Sequence, residues 1–173
     1  LDDHRVVAED TGSATRWWVY DVRQGTREPL WAPAAASTAA TTTAPRLNDV
    51  RQPVASADGA WLTAIAAGAD GPQLWRIAAD GSHAERPPQG ARPSSPAWMP
   101  GGQIACLVRV DGRARVAAPC EADPLVPVPD VEAIGPIAFS PDGARVYFAS
   151  PNDAGFVDLW QMDRASRRAS RLA

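Results

Sequence analysis

The sequence predicts an all-β chain assembled from one antiparallel unit used repeatedly. Three observations predict it. Pro53, Pro96 and Pro136 each open a short apolar segment, "PVAS", "PAWM" and "PIAFS". Each segment runs into a tight turn: Ala57-Asp58-Gly59, Pro100-Gly101-Gly102 and Pro141-Asp142-Gly143. Trp75 and Trp160 then hold the same place in later apolar runs. Units of four short strands recurring every roughly 40 to 45 residues have the period of a β-propeller.

The fold class is therefore all-β, a β-propeller of four-stranded antiparallel blades. About four blades are present, as a partial ring or one completed by oligomerisation. Residues 1–31 form an incomplete first blade that lacks its opening strand. "HRVVAED" reads as the second strand, "WWVYDVRQGT" as the third and "REPLW" as the last. Residues 32–46 are a low-complexity connector, where flanking prolines and Thr41-Thr42-Thr43 disfavour helix. Residues 47–90, 91–130 and 131–173 are the second, third and fourth blades.

The turn between first and second strands has specific chemistry. Proline fixes φ, aspartate accepts backbone hydrogen bonds, and glycine takes φ > 0. A tight hairpin with a bulge at the glycine is expected. The second strands read "AWLTAIA", "QIACLVRV" and "ARVYFAS"; the third read "QLWRIA", "RARVAA" and "VDLWQM". A polar turn and a short fourth strand close each unit. One blade cannot cover both its faces, so stacking must bury the Trp and β-branched positions.

Bulk properties narrow the function. The 173 residues carry a net charge of −3, and the pI is about 5.3, which argues against nucleic acid as a partner. All 17 basic residues are arginine, so lysine Schiff-base chemistry is excluded within this chain. No apolar run is long enough to span a bilayer, and direct membrane insertion is not expected. Cys106 and Cys120 flank a hairpin turning at Asp111-Gly112. A straight ladder would set Cys106 opposite Ala117 and Cys120 opposite Gln103, too far apart for a disulfide. Both thiols are expected to be unpaired.

"FSPDGARVYFAS" followed by "DLWQMDRASRRASRLA" resembles the repeat of the TolB-like (WD-repeat-like) β-propeller family. "RLNDVRQPVASADG" is similar to that family's connector into a blade. The fourth unit matches best and the second well. The third departs, with Gly101-Gly102 in place of Asp-Gly and no Trp in its third strand. The resemblance implies a non-catalytic scaffold for protein interaction, periplasmic or extracellular. It also admits the substrate-gating propeller of a prolyl-oligopeptidase-like serine peptidase, or the sensor domain of a membrane-tethered signalling protein. Relatives have six to eight blades, so further blades from a parent chain or self-association are expected.

Candidate chemistry is sparse. The histidines, His4 and His83, read as surface residues, and no G-x-S-x-G elbow exists. No catalytic residue, cofactor or metal is assigned. Asn152, Asp153 and Asp158 raise the question of calcium but offer too few oxygens. Trp17 and Trp18 fall on opposite faces of one strand. Propeller partners dock at loops around one face. Here those loops carry Asp10, Asp49, Asp70, Asp130, Glu132 and Asp153, with Glu9 and Asp111 beside them. A protein partner with a basic surface is expected there.

Overall fold

The computed structural model describes residues 5–10, 16–29, 50–79 and 82–172. For residues 5–10, 16, 17, 19, 28 and 29 it describes backbone alone. The 32–46 connector lies outside the described residues. Among them every element is a strand, in four antiparallel sheets. The first sheet holds β1 (Arg5–Asp10), β2 (Arg16–Asp21) and β3 (Thr26–Pro29). The second holds β4 (Val50–Ala55), β5 (Trp61–Gly68), β6 (Gly71–Ala78) and β7 (Ala84–Glu85). The third holds β8 (Ser94–Trp98), β9 (Ile104–Val110) and β10 (Arg113–Ala117). The fourth holds β11 (Ile134–Phe139), β12 (Arg145–Pro151), β13 (Val157–Asp163) and β14 (Ala169–Arg171). Within each sheet strand order follows chain order. Residues 1–87 and 88–173 form two units, each with two sheets.

The repeated prolines mark a repeated distortion. Ladder register shifts between Arg51 and Val54, between Ser94 and Ala97, and between Ile134 and Ala138. Pro53, Pro96 and Pro136 sit inside those three intervals. A proline cannot donate to a ladder, so it belongs at a bulge. The preceding residue is left-handed each time: Gln52 at φ 53°, Ser95 at 47° and Gly135 at 68°. The expected bulge at the turn glycine thus lies one strand-length earlier, at the proline.

The turns repeat atom for atom. Ser56 Oγ donates to Asp58 Oδ1 at 2.5 Å, and Asp58 Oδ1 accepts from the Ala60 N–H at 3.1 Å. Ser140 Oγ donates to Asp142 Oδ1 at 2.5 Å, and Asp142 Oδ1 accepts from the Ala144 N–H at 3.0 Å. Each serine oxygen also accepts the N–H that restarts the ladder, from Trp61 at 3.0 Å and Arg145 at 2.9 Å. In the third sheet Gly101 and Gly102 turn the chain with both φ positive, 88° and 82°. Two glycines there replace the Ser-Asp network with backbone freedom.

The third sheet departs further. Its fourth strand is absent, against expectation. Residues after Ala117 leave the regular ladder; Leu125 bridges back to Val116, and the Ala133 N–H donates to Ala114 O at 3.2 Å. The same segment then bridges Val128 to Arg168 in the fourth sheet. The cysteines correct a second expectation. Ala117 does pair with Cys106. The chain then turns at Pro119 instead of running straight, and the Cys120 N–H donates to Ile104 O at 2.8 Å. Cys106 and Cys120 are joined as a disulfide, with Cα atoms 5.1 Å apart. The straight-ladder assumption failed because β10 ends at Ala117.

Alternation assigns two faces to each sheet, named here by the fourth. Its front carries Val146, Phe148 and Met162; its back carries Tyr147, Ala149 and Leu159. In the second unit, Val146, Phe148, Met162 and Ile137 share one core with Ala105, Leu107 and Val116 of the third sheet. That core is back against front. Burying a side chain such as Phe148 there contributes about 1.5–3 kcal/mol. In the first unit, Leu62, Ala64, Ala66, Trp75 and Ile77 form the core on the front of the second sheet.

Candidate interaction loops

The loop from Asn152 to Phe156 joins β12 to β13 and is braced by its own first residue. Asn152 Oδ1 accepts from the N–H groups of Ala154 at 3.1 Å and Phe156 at 3.0 Å. The Asn152 N–H donates to Phe156 O at 2.9 Å. Asn152 Nδ2 donates to Asp158 Oδ1 at 3.0 Å, and Arg171 holds Asp158 Oδ2 at 3.2 Å. Asparagine suits this work because one amide offers both donor and acceptor. The loop therefore presents a fixed backbone. Asp153 on it is exposed, and Phe156 is 72% exposed. Asp158 serves the brace.

The other sequence-predicted acids divide by what holds them. Asp70 is exposed in the turn from β5 to β6, before Gly71 at φ 117°. Asp130 and Glu132 are engaged. Arg113 Nη1 lies 3.1 Å from Asp130 Oδ2, and Arg115 Nη2 lies 2.5 Å from Asp130 Oδ1. Arg115 Nη1 also donates to Val131 O at 2.7 Å, and the Ala114 N–H donates to Glu132 Oε1 at 3.0 Å. These two acids fasten the connector along β10, where a fourth strand would otherwise lie. Asp10 closes β1 opposite Arg16, with its side chain outside the description. Asp49 and His4 lie outside the described residues. Asp70 belongs to the first unit and Asp153 to the second.

At the opposite ends of the fourth-sheet strands, Asp142, Gly143, Ala144, Asp163, Arg164 and Ala165 line an open depression of about 440 Å3. Both of its carboxylates have internal partners, whereas Arg164 Nε is buried without a hydrogen-bond partner. The Ser140 hydroxyl, then the Ala144 N–H, hold the Asp142 carboxyl below its ordinary range. The Ser166 N–H, then its hydroxyl, do the same for Asp163. Arg164 donates to Gly143 O at 2.8 Å and Ala118 O at 3.2 Å, and its guanidinium lies 5.8 Å from the Phe139 ring centroid. This residue, unnoticed in sequence, clasps the third and fourth sheets together. His83 packs edge-on to Trp61, with ring centroids 6.2 Å apart, beside Glu85. Among the described residues, no three His, Cys, Asp or Glu side chains gather as a metal site.

No protein-family model matches the chain, and no curated protein does. Solved structures do. TolB from Acinetobacter baumannii is similar at a TM-score of 0.69 and 13% identity, over 99% of this chain and 41% of that one. A putative TolB from Agrobacterium tumefaciens is similar at 0.69 and 16%, over 99% of this chain and 62% of that one. Oligogalacturonate lyase from Vibrio parahaemolyticus is similar at 0.57 and 14%, over 92% of this chain and 42% of that one. The chain thus spans between two fifths and two thirds of these proteins. At such identities the likeness speaks for fold, and it supports a TolB-like propeller architecture.

Proposed function

We propose that the chain is a non-catalytic, TolB-like β-propeller scaffold that holds a protein partner outside the cytoplasm. The recurring sheets and the likeness to two TolB chains support the propeller. One observation carries the binding role: the self-braced 152–156 loop, which exposes Phe156 and Asp153 on a fixed backbone. A rigid loop loses little ordering entropy on docking. An exposed aromatic is a typical interface anchor, and a neighbouring carboxylate selects a basic rim on the partner. The buried Cys106–Cys120 disulfide supports a periplasmic or extracellular compartment. Sheets beyond the four described here complete the ring in this reading.

Two assays test it side by side, on the wild type and on Phe156→Ser and Asp153→Arg variants. Binding to proteins of the cell envelope is measured alongside breakdown of oligogalacturonate. Binding is expected to fall at least tenfold in both variants, with the sugar left intact. Turnover of the sugar, or binding untouched by either substitution, contradicts the proposal.

A further inference from the structure

The Val128 N–H donates to Arg167 O at 2.8 Å, and Val128 O accepts from the Ala169 N–H at 2.8 Å. These two bonds lay residue 128 parallel to β14. They fall on the side of β14 that faces away from β13. Toward β13 the alternate residues bond: the Asp163 N–H donates to Arg168 O at 3.0 Å, and the Leu172 N–H donates to Leu159 O at 2.7 Å. The outer side of β14 is therefore occupied, by the connector that arrives from the third sheet.

The same connector lies along the outer side of β10. The Leu125 N–H donates to Val116 O at 2.7 Å, and the Ala133 N–H donates to Ala114 O at 3.2 Å. Glu132 Oε1 accepts from the Ala114 N–H at 3.0 Å. A bare edge strand offers its N–H and C=O groups to a strand of any other chain. Here two such edges are engaged by one segment, residues 125–133.

The segment itself cannot pass the pairing on. Pro127 and Pro129 have no N–H, so Val128 carries the one backbone donor among residues 127–129, and Arg167 O takes it. Val126 and Val128 are β-prone and exposed, at 43% and 61%. The prolines between and after them keep this run from acting as a strand for others. Both ends are tied. Cys120 is held by Cys106 and by the Gly90 N–H, and Asp130 by Arg113 and Arg115. The second sheet meets the same need differently: its outer strand, β7, is only Ala84–Glu85, with Pro87 and Pro88 just beyond.

We propose that residues 125–133 are an edge guard, which keeps β10 and β14 from accepting a strand of a second copy of this chain. The segment takes the place of the intruding strand and ends the ladder with prolines.

Val128→Pro tests this. It removes the Val128 N–H, and little packing goes with it because Val128 is exposed. In hydrogen exchange the Ala169 amide should lose protection about tenfold, while the amides of β12 keep theirs. Sedimentation velocity of the 173-residue chain, over a micromolar series, should show self-association about tenfold tighter than in the wild type. Adding Ala169→Pro deletes the donor that Val128→Pro frees, so the double variant should return to wild-type association. An Ala169 amide as unprotected in the wild type as in Val128→Pro overturns the proposal. So does a Val128→Pro chain that associates no more than the wild type, or a double variant that associates as strongly as the single one.

Discussion

Cys106 and Cys120 are bonded although the ladder pairs Cys106 with Ala117. The link is made by a chain that leaves β10 and returns to Ile104. Replacing both cysteines with serine is expected to cost about 3 kcal/mol, the value for closing a loop of this length. Urea denaturation of the double variant measures it. Thiol titration of the unfolded wild type should find no free sulfhydryl before reduction.

Gly90 lies against that same link. Its N–H donates to Cys120 O at 2.9 Å. A Cβ there would meet Val108 Cγ1 at 2.8 Å and Cys120 O at 3.3 Å. Gly90→Ala should destabilise by about 1–3 kcal/mol through overpacking. Gly135 makes the useful contrast. Nothing lies within 4 Å of its added Cβ, but its φ is +68°. Gly135→Ala should cost about 1 kcal/mol from backbone strain alone. Denaturation midpoints of the two variants separate the two causes.

Arg113 and Arg115 both reach Asp130, and they should not weigh equally. The Arg113 side chain is 55% exposed, and its removal should cost under about 1 kcal/mol. The Arg115 side chain is 8% exposed and also satisfies Val131 O. Arg115→Ala should cost about 1–3 kcal/mol and loosen the connector. Amide exchange at the Ala114 and Ala133 N–H groups would register the loosening. Equal effects from the two substitutions would count against the brace.

Acid should act through the turns. The carboxyls of Asp58, Asp142 and Asp163 lie below their ordinary value, chiefly through hydrogen bonds from Ser56, Ser140 and Ser166. A carboxyl lowered in the folded state contributes stability above its unfolded pKa. That contribution is lost as pH falls through the folded value. Thermal stability should therefore hold from neutrality to about pH 4 and decline below it. Asp142→Asn should flatten part of the decline. A melting temperature independent of pH below about pH 4 would contradict this.

Sequence made the strands and turns legible because their chemistry is local. Pro53, Asp58 and Gly59 recur as Pro136, Asp142 and Gly143, and each needs a specific φ or acceptor. The disulfide was hidden because it depends on where β10 stops, which no periodicity reports. The missing fourth strand of the third sheet was hidden similarly: Leu125 and Val128 sit in a proline-rich run that bridges two sheets instead of lengthening one. Asp130 and Glu132 read as free loop acids because their partners, Arg113, Arg115 and the Ala114 N–H, lie on another strand. Phe156 was overlooked because its exposure follows from the Asn152 brace.

The central claim is that the 152–156 loop is a docking element for a protein. A photo-crosslinking amino acid placed at Phe156, in cells expressing the chain, tests it most directly. The account expects one discrete protein adduct from Phe156 and none from the same group at Val22, an exposed site in the turn between β2 and β3. Equal, diffuse labelling at both sites, or no adduct at Phe156, would contradict it.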